Sequence, residues 1–73
     1  MLKYLSLSSG KILDQRPPHD SDWVTELIIP DKATLETIRK AAAETWRVKK
    51  DKAEWYRRYL LLRVLLRSYM TGR

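Results

Sequence analysis

The amino-acid sequence predicts an α+β fold, a small antiparallel sheet made of a hairpin plus a third strand, packed against a two-helix C-terminal hairpin. Three observations predict it. Short runs of apolar, β-branched and aromatic residues separated by turn formers fill the chain up to Pro30. From Asp31 onward apolar residues recur at spacings of three and four. The 73 residues leave room for a single domain, with a β-rich part over 1–30 and a helical, basic part over 31–73.

Taken in order, Leu2 to Leu7 is an apolar-rich run, Ser8-Ser9-Gly10 a turn, and Lys11-Ile12-Leu13 the return strand of a hairpin. Gly10 supplies the positive φ that a tight turn needs. Asp14 to Asp22 reads as a loop, because Pro17-Pro18 favours extended backbone and its neighbours show no apolar period. Trp23 to Ile29 is the best strand, rich in β-branched and aromatic residues and ended by Pro30. Glu26 turns one of its faces to water.

The first helix is predicted to start at Asp31, whose carboxylate can accept from the free N–H groups of the first turn, and to run to about Val48. Leu35, Ile38, Ala42 and Trp46 form its apolar stripe. The second helix is predicted over about Lys52 to Met70, with Trp55, Tyr59, Leu62, Leu66 and Tyr69 as its stripe. At ~100° per residue the two stripes point about 145° apart, so one straight rod would bury them on different sides. A turn at Lys49 to Asp51 resolves the conflict. Asp51 followed by Glu54 resembles a capping box, and Lys49 and Lys50 suit a helix C-terminus. Leu60, Leu61 and Val64 lie off the main stripe. Either the sheet covers that second side of the helix, or a partner or a second copy of the chain does.

Composition narrows the function. With no Cys there is neither a disulfide nor a thiolate metal site, and the single His19 cannot build a zinc site of nitrogen and sulfur ligands. A core this small supplies only about 3–5 kcal/mol, so dense packing or a partner must make up the rest. Nucleophilic cysteine and a glycine-rich phosphate loop are both missing, since Gly10 and Gly72 are the only glycines. His19, Asp20 and Asp22 share one loop and read as solvated. No enzyme, metal, cofactor or small-molecule substrate is expected. The apolar runs Tyr59 to Leu62 and Val64 to Leu66 are split by Arg63 and fall short of the roughly 20 residues that span a bilayer. The start, Met1 to Leu7, is interrupted by serine and does not read as a signal peptide. A cytoplasmic, unprocessed chain is expected, with no membrane partner.

Charge is uneven. Residues 1–38 carry Lys3, Lys11, Arg16 and Lys32 against Asp14, Asp20, Asp22, Glu26, Asp31 and Glu36, a net −2. Residues 39–73 carry eleven basic groups against Glu44, Asp51 and Glu54, a net +8. Such asymmetry points to a polyanion or an acidic protein face. Lys49, Lys50, Lys52, Arg57 and Arg58 cluster around Trp55 and Tyr56, and Arg63 and Arg67 extend the strip along the helix. Lysine and arginine neutralise phosphates, and an exposed aromatic face stacks on an unpaired base. A solvated helix end, with Trp55 and Tyr59 in the core beside the leucines, is the plainer reading of the same residues.

Both surpluses, apolar and basic, suit a regulator that docks on a large nucleic-acid machine. In length, basic balance and the order from Met1-Leu2-Lys3-Tyr4 through Trp23 to the Trp46 and Trp55 helices, the chain resembles the small phage-encoded regulators that bind host RNA polymerase, of the kind a Xanthomonas-infecting phage uses as antitermination factor and initiation inhibitor. The resemblance implies action in the host bacterial cytoplasm. It implies binding to bacterial RNA polymerase at the N-terminal region of the largest subunit and the flap, beside the RNA exit channel and nascent RNA. It further implies inhibited sigma-dependent initiation and readthrough of intrinsic terminators. Leu5, Leu7, Trp23, Tyr56, Leu60 and Val64 are the expected partner contacts. The competing expectation is a stand-alone DNA-binding protein with a helix-turn-helix, although Tyr59 to Leu66 offers a groove only Arg63. A basic amphipathic helix on an anionic membrane is a third, but the same leucines cannot serve core and membrane together.

Overall fold

The computed structural model describes residues 1–17 and 24–70. Three strands, β1 (Leu2–Ser6), β2 (Ile12–Leu13) and β3 (Val24–Ile28), precede two helices, α1 (Lys32–Arg47) and α2 (Lys52–Leu66). The sheet is antiparallel, ordered β2-β1-β3. The fold is the predicted α+β arrangement of a hairpin, a third strand and a C-terminal pair of helices.

Strand register decides which apolar side chains reach the core. Leu5 stands opposite Ile12 on one side and Thr25 on the other, and Leu27 and Ile29 share that face by the two-residue alternation of a strand. Leu5, Leu27 and Ile29 are sealed from solvent with Leu35, Ile38 and Ala42 of α1 and Leu62 and Leu66 of α2. Leu2 and Ile28 oppose one another on the outer face, where both are exposed. The β1–β2 turn closes through Gly10 N–H donating to the Ser6 carbonyl at 2.7 Å, with Gly10 at φ +74°. Glycine is required there twice over. A Cβ on Gly10 would stand 2.6 Å from the Trp46 ring, so the hairpin turn and the end of α1 pack backbone against indole.

Both helices begin where expected. Asp31 Oδ1 accepts from Thr34 N–H at 2.7 Å, and Asp51 Oδ1 from Glu54 N–H at 3.2 Å. The chain leaves α1 at Val48 and re-enters helix at Lys52 through a turn in which Asp51 N–H donates to the Val48 carbonyl at 3.0 Å. Thr45 joins the buried face of α1, its hydroxyl satisfied by the Ala41 carbonyl one turn back at 2.8 Å.

Helix α2 stops at Leu66, short of the expected Met70. The reason lies on β3, whose outer edge has no neighbouring strand in the sheet. Met70 forms a bridge to Leu27, and Ile28 N–H donates to the Tyr69 carbonyl at 2.8 Å. Unwinding the last turn thus satisfies a backbone donor and blunts an open edge. At the same end of β3 but on its β1 edge, Ile29 N–H donates to the Met1 carbonyl at 2.8 Å, extending the pairing with β1. Trp23 and most of the expected loop, including His19, Asp20 and Asp22, lie outside the described residues.

Candidate protein and nucleic-acid interface

An aromatic cluster fixes the junction between the helices. Trp55 and Tyr59, one turn apart on α2, stack with ring centroids 5.0 Å apart and planes 13° from parallel. Trp46, at the end of α1, meets Trp55 edge-on at 6.1 Å and Tyr59 at 6.2 Å. All three are half-buried, so the plainer reading of Trp55 and Tyr59 as packing residues holds for much of each ring. The indole N–H groups of Trp46 and Trp55 are enclosed and have no hydrogen-bond partner among the described residues. Their rings therefore act in this cluster as hydrocarbon surfaces.

Around this junction the basic residues fall into two groups. Arg57 and Arg58 both reach Glu54, at 2.7 and 2.8 Å, one turn back on the same helix. The hydrogen bond from Arg57, followed by its charge and by Arg58, holds the Glu54 carboxyl below its ordinary value. Lys49, Lys50, Lys52 and Arg67 are exposed and make no ion pair among the described residues. Arg63 lies over the Tyr59 ring, 5.9 Å from its centroid. The expected basic strip therefore lies at the surface with Arg58 half-buried, and its exposed cations without an ion pair among the described residues include Lys49, Lys50, Lys52 and Arg67. Spacings of three and four from Glu54 to Arg57 and Arg58 were the sequence signal for that division.

The apolar residues expected to meet a partner also divide. Leu5 is 1% exposed and belongs to the core, where the strand alternation turns it toward the helices, so it offers a partner nothing. Leu7 is half-buried and packs against that same core. Trp23 lies outside the described residues. Tyr56, Leu60 and Val64, by contrast, are 58%, 47% and 70% exposed. At intervals of four they line one stripe of α2, continued sideways by Leu61, with Arg63 and Arg67 on one flank and Arg57 on the other. The sheet does not cover this side of α2, because Leu62 and Leu66 already carry the contact with sheet and α1.

Two open depressions adjoin the stripe. One, of about 470 Å³, is lined by Lys49, Lys52, Trp55 and Tyr56. The other, of about 310 Å³, runs between the helices along Ala41, Thr45, Leu61 and Leu65. Among the described residues no group of His, Asp or Glu side chains is arranged to hold a metal ion. Among them, too, no helix is long and apolar enough to cross a membrane.

No protein-family model, curated protein or solved structure matches the chain. What the site does must be argued from its chemistry.

Proposed function

We propose that this protein is a small basic regulator that docks on bacterial RNA polymerase near the RNA exit channel, inhibiting sigma-dependent initiation and promoting antitermination at intrinsic terminators. The observation that carries the docking is the exposed stripe Tyr56, Leu60 and Val64 on α2, bordered by arginines and ending at unpaired lysines. Apolar side chains at the centre and guanidinium groups at the rim are the make-up of a protein-binding patch. Lysines at one end would bring positive charge beside a nucleic acid held by the same machine. The resemblance to phage regulators of RNA polymerase supplies the machine, the largest-subunit N-terminal region and the flap as the contact, and the effect on termination.

A stand-alone DNA-binding protein is the weaker reading. A helix entering the major groove needs hydrogen-bonding side chains on its outer face, whereas Leu60, Leu61 and Val64 occupy that face here.

Capture from a nuclease-treated bacterial lysate tests the proposal. Polymerase subunits should be retained by the wild type and lost by a Leu60→Asp/Val64→Asp variant whose circular dichroism is unchanged. The captured enzyme should then read through an intrinsic terminator more often and open sigma-dependent promoters less often. Retention of no polymerase, with tight salt-sensitive binding to added duplex DNA, would reverse the choice between the two readings.

A further inference from the structure

The depression at the start of α2 has a chemistry that protein docking does not explain. Its walls are two aromatic side chains and two lysines. Trp55 is braced by its neighbours, one ring face stacked on Tyr59 and the ring meeting Trp46 close to a right angle. Its N–H is enclosed, so the depression receives indole carbon and no directional donor from it. Tyr56 beside it is well exposed and free to adjust. Of the neighbouring carboxylates, Asp51 accepts from the Glu54 N–H, and Glu54 itself pairs with Arg57 and Arg58. Lys49 and Lys52 line the depression beside the two aromatic side chains and make no ion pair among the described residues. About 470 Å³ is within the ~300–1,000 Å³ usual for small-ligand sites.

We propose that the depression formed by Lys49, Lys52, Trp55 and Tyr56 binds an unpaired nucleotide of single-stranded RNA, the base on the aromatic floor and the flanking phosphates at the two lysines. A flat π surface with ammonium groups at its rim complements a flat base strung between anions. Bases inside a duplex are already stacked and cannot reach such a floor. With no fixed hydrogen-bond donor from the indole, the site holds any base and reads none. The assignment to RNA rests on the proposed docking beside transcribing polymerase; the stacking itself does not.

Fluorescence anisotropy of the full chain with a labelled oligouridylate of about 12 nucleotides tests this, against an abasic strand of equal length, oligodeoxyuridylate and a DNA duplex. The base-containing RNA should bind at least about fivefold more tightly than the abasic strand, and Tyr56→Ala should weaken binding about five- to 150-fold, the equivalent of ~1–3 kcal/mol per stacked base. Tyr56 is an exposed position whose loss spares the core. Lys49→Gln/Lys52→Gln should flatten the dependence of log K on log salt by about 1.4, from ~0.7 per neutralised phosphate on a single strand. Equal binding of the abasic strand, equal binding of the duplex, or full affinity in Tyr56→Ala would overturn the proposal, and tighter binding of oligodeoxyuridylate would overturn the choice of RNA. The lysine variant keeps the Tyr56-Leu60-Val64 stripe. Polymerase captured by a protein that fails to bind the oligonucleotide would remove this inference alone, and oligonucleotide binding without polymerase capture would remove the docking.

Discussion

The two helices are nearly equal in length, 16 and 15 residues, and are used differently. In α1 the large apolar side chains lie on the buried side: Leu35, Ile38 and Ala42 join the core together with Thr45, while Glu36, Arg39, Lys40 and Arg47 are exposed. In α2 only Leu62 and Leu66 are fully buried, and Leu60, Leu61 and Val64 stay exposed. A fully buried aliphatic side chain gains about 1.5–3 kcal/mol. Leu2 and Ile28 on the outer face of the sheet are exposed as well, but the three on α2 adjoin one another, and under the proposed docking they are the ones a partner would cover. The fold thus needs all of the apolar face of α1 and half of that of α2.

Substitutions on the two helices should separate sharply if that is right. Ile38→Ala should cost about 2–5 kcal/mol, because a sealed side chain leaves a cavity behind. A domain of this size has only about 4–11 kcal/mol in total, at ~0.05–0.15 kcal/mol per residue. Urea unfolding should therefore find Ile38→Ala marginal or unfolded. Val64→Ala should stay within about 0.5 kcal/mol of the wild type, as a surface change does. A Val64→Ala loss as large as that of Ile38→Ala would mean that the stripe is core and would break the comparison.

Gly10→Ala tests the contact that ties the hairpin to the helix junction. Alanine at a left-handed φ costs about 1–2 kcal/mol, and the added methyl would lie 2.6 Å from the Trp46 ring. The destabilisation should exceed the backbone figure alone. An effect below about 1 kcal/mol would show that Trp46 moves aside readily and does not fix the junction.

Much of this was legible from local chemistry. Asp31, Asp51 and Gly10 announce their roles because a cap and a positive φ depend on a few neighbouring residues. The turn at Lys49 to Asp51 follows from the mismatch of two apolar phases. What escaped depends on distant partners. The end of α2 is set by the open edge of β3, some forty residues away in sequence. Leu5 turns inward only because the strand alternation has a definite hand against the helices; Thr45 is the local exception, its hydroxyl satisfied one turn back by the Ala41 carbonyl. The candidate site was legible as a cluster of lysines, arginines and aromatics, and its division only through the spacing of Arg57 and Arg58 from Glu54. Which cations are free depends on where Glu54 lies.

The smallest expected effect distinguishes the helices by how each one starts. The Asp31 carboxyl is held below its ordinary value of 3.8, chiefly by the Thr34 N–H that it accepts in the first turn of α1. Glu54, in the first turn of α2, is held below 4.5 chiefly by Arg57. Both are lowered in the folded state, so the unfolded chain takes up protons first. The stability they contribute is present above their ordinary values and is lost as pH falls through the folded ones. Thermal melts should therefore be flat near neutrality and fall below about pH 4. Salt separates the two sources: screening at high ionic strength weakens the exposed Glu54–Arg57 attraction, while the short hydrogen bond at Asp31 survives it. Asp31→Asn should retain stability at pH 7, since asparagine caps about as well as aspartate, and should show a shallower fall in acid at every salt concentration. An undiminished fall in Asp31→Asn would assign the acid sensitivity to Glu54 on α2 or to Asp14, whose carboxyl is likewise held low by its hydrogen bond from Lys3.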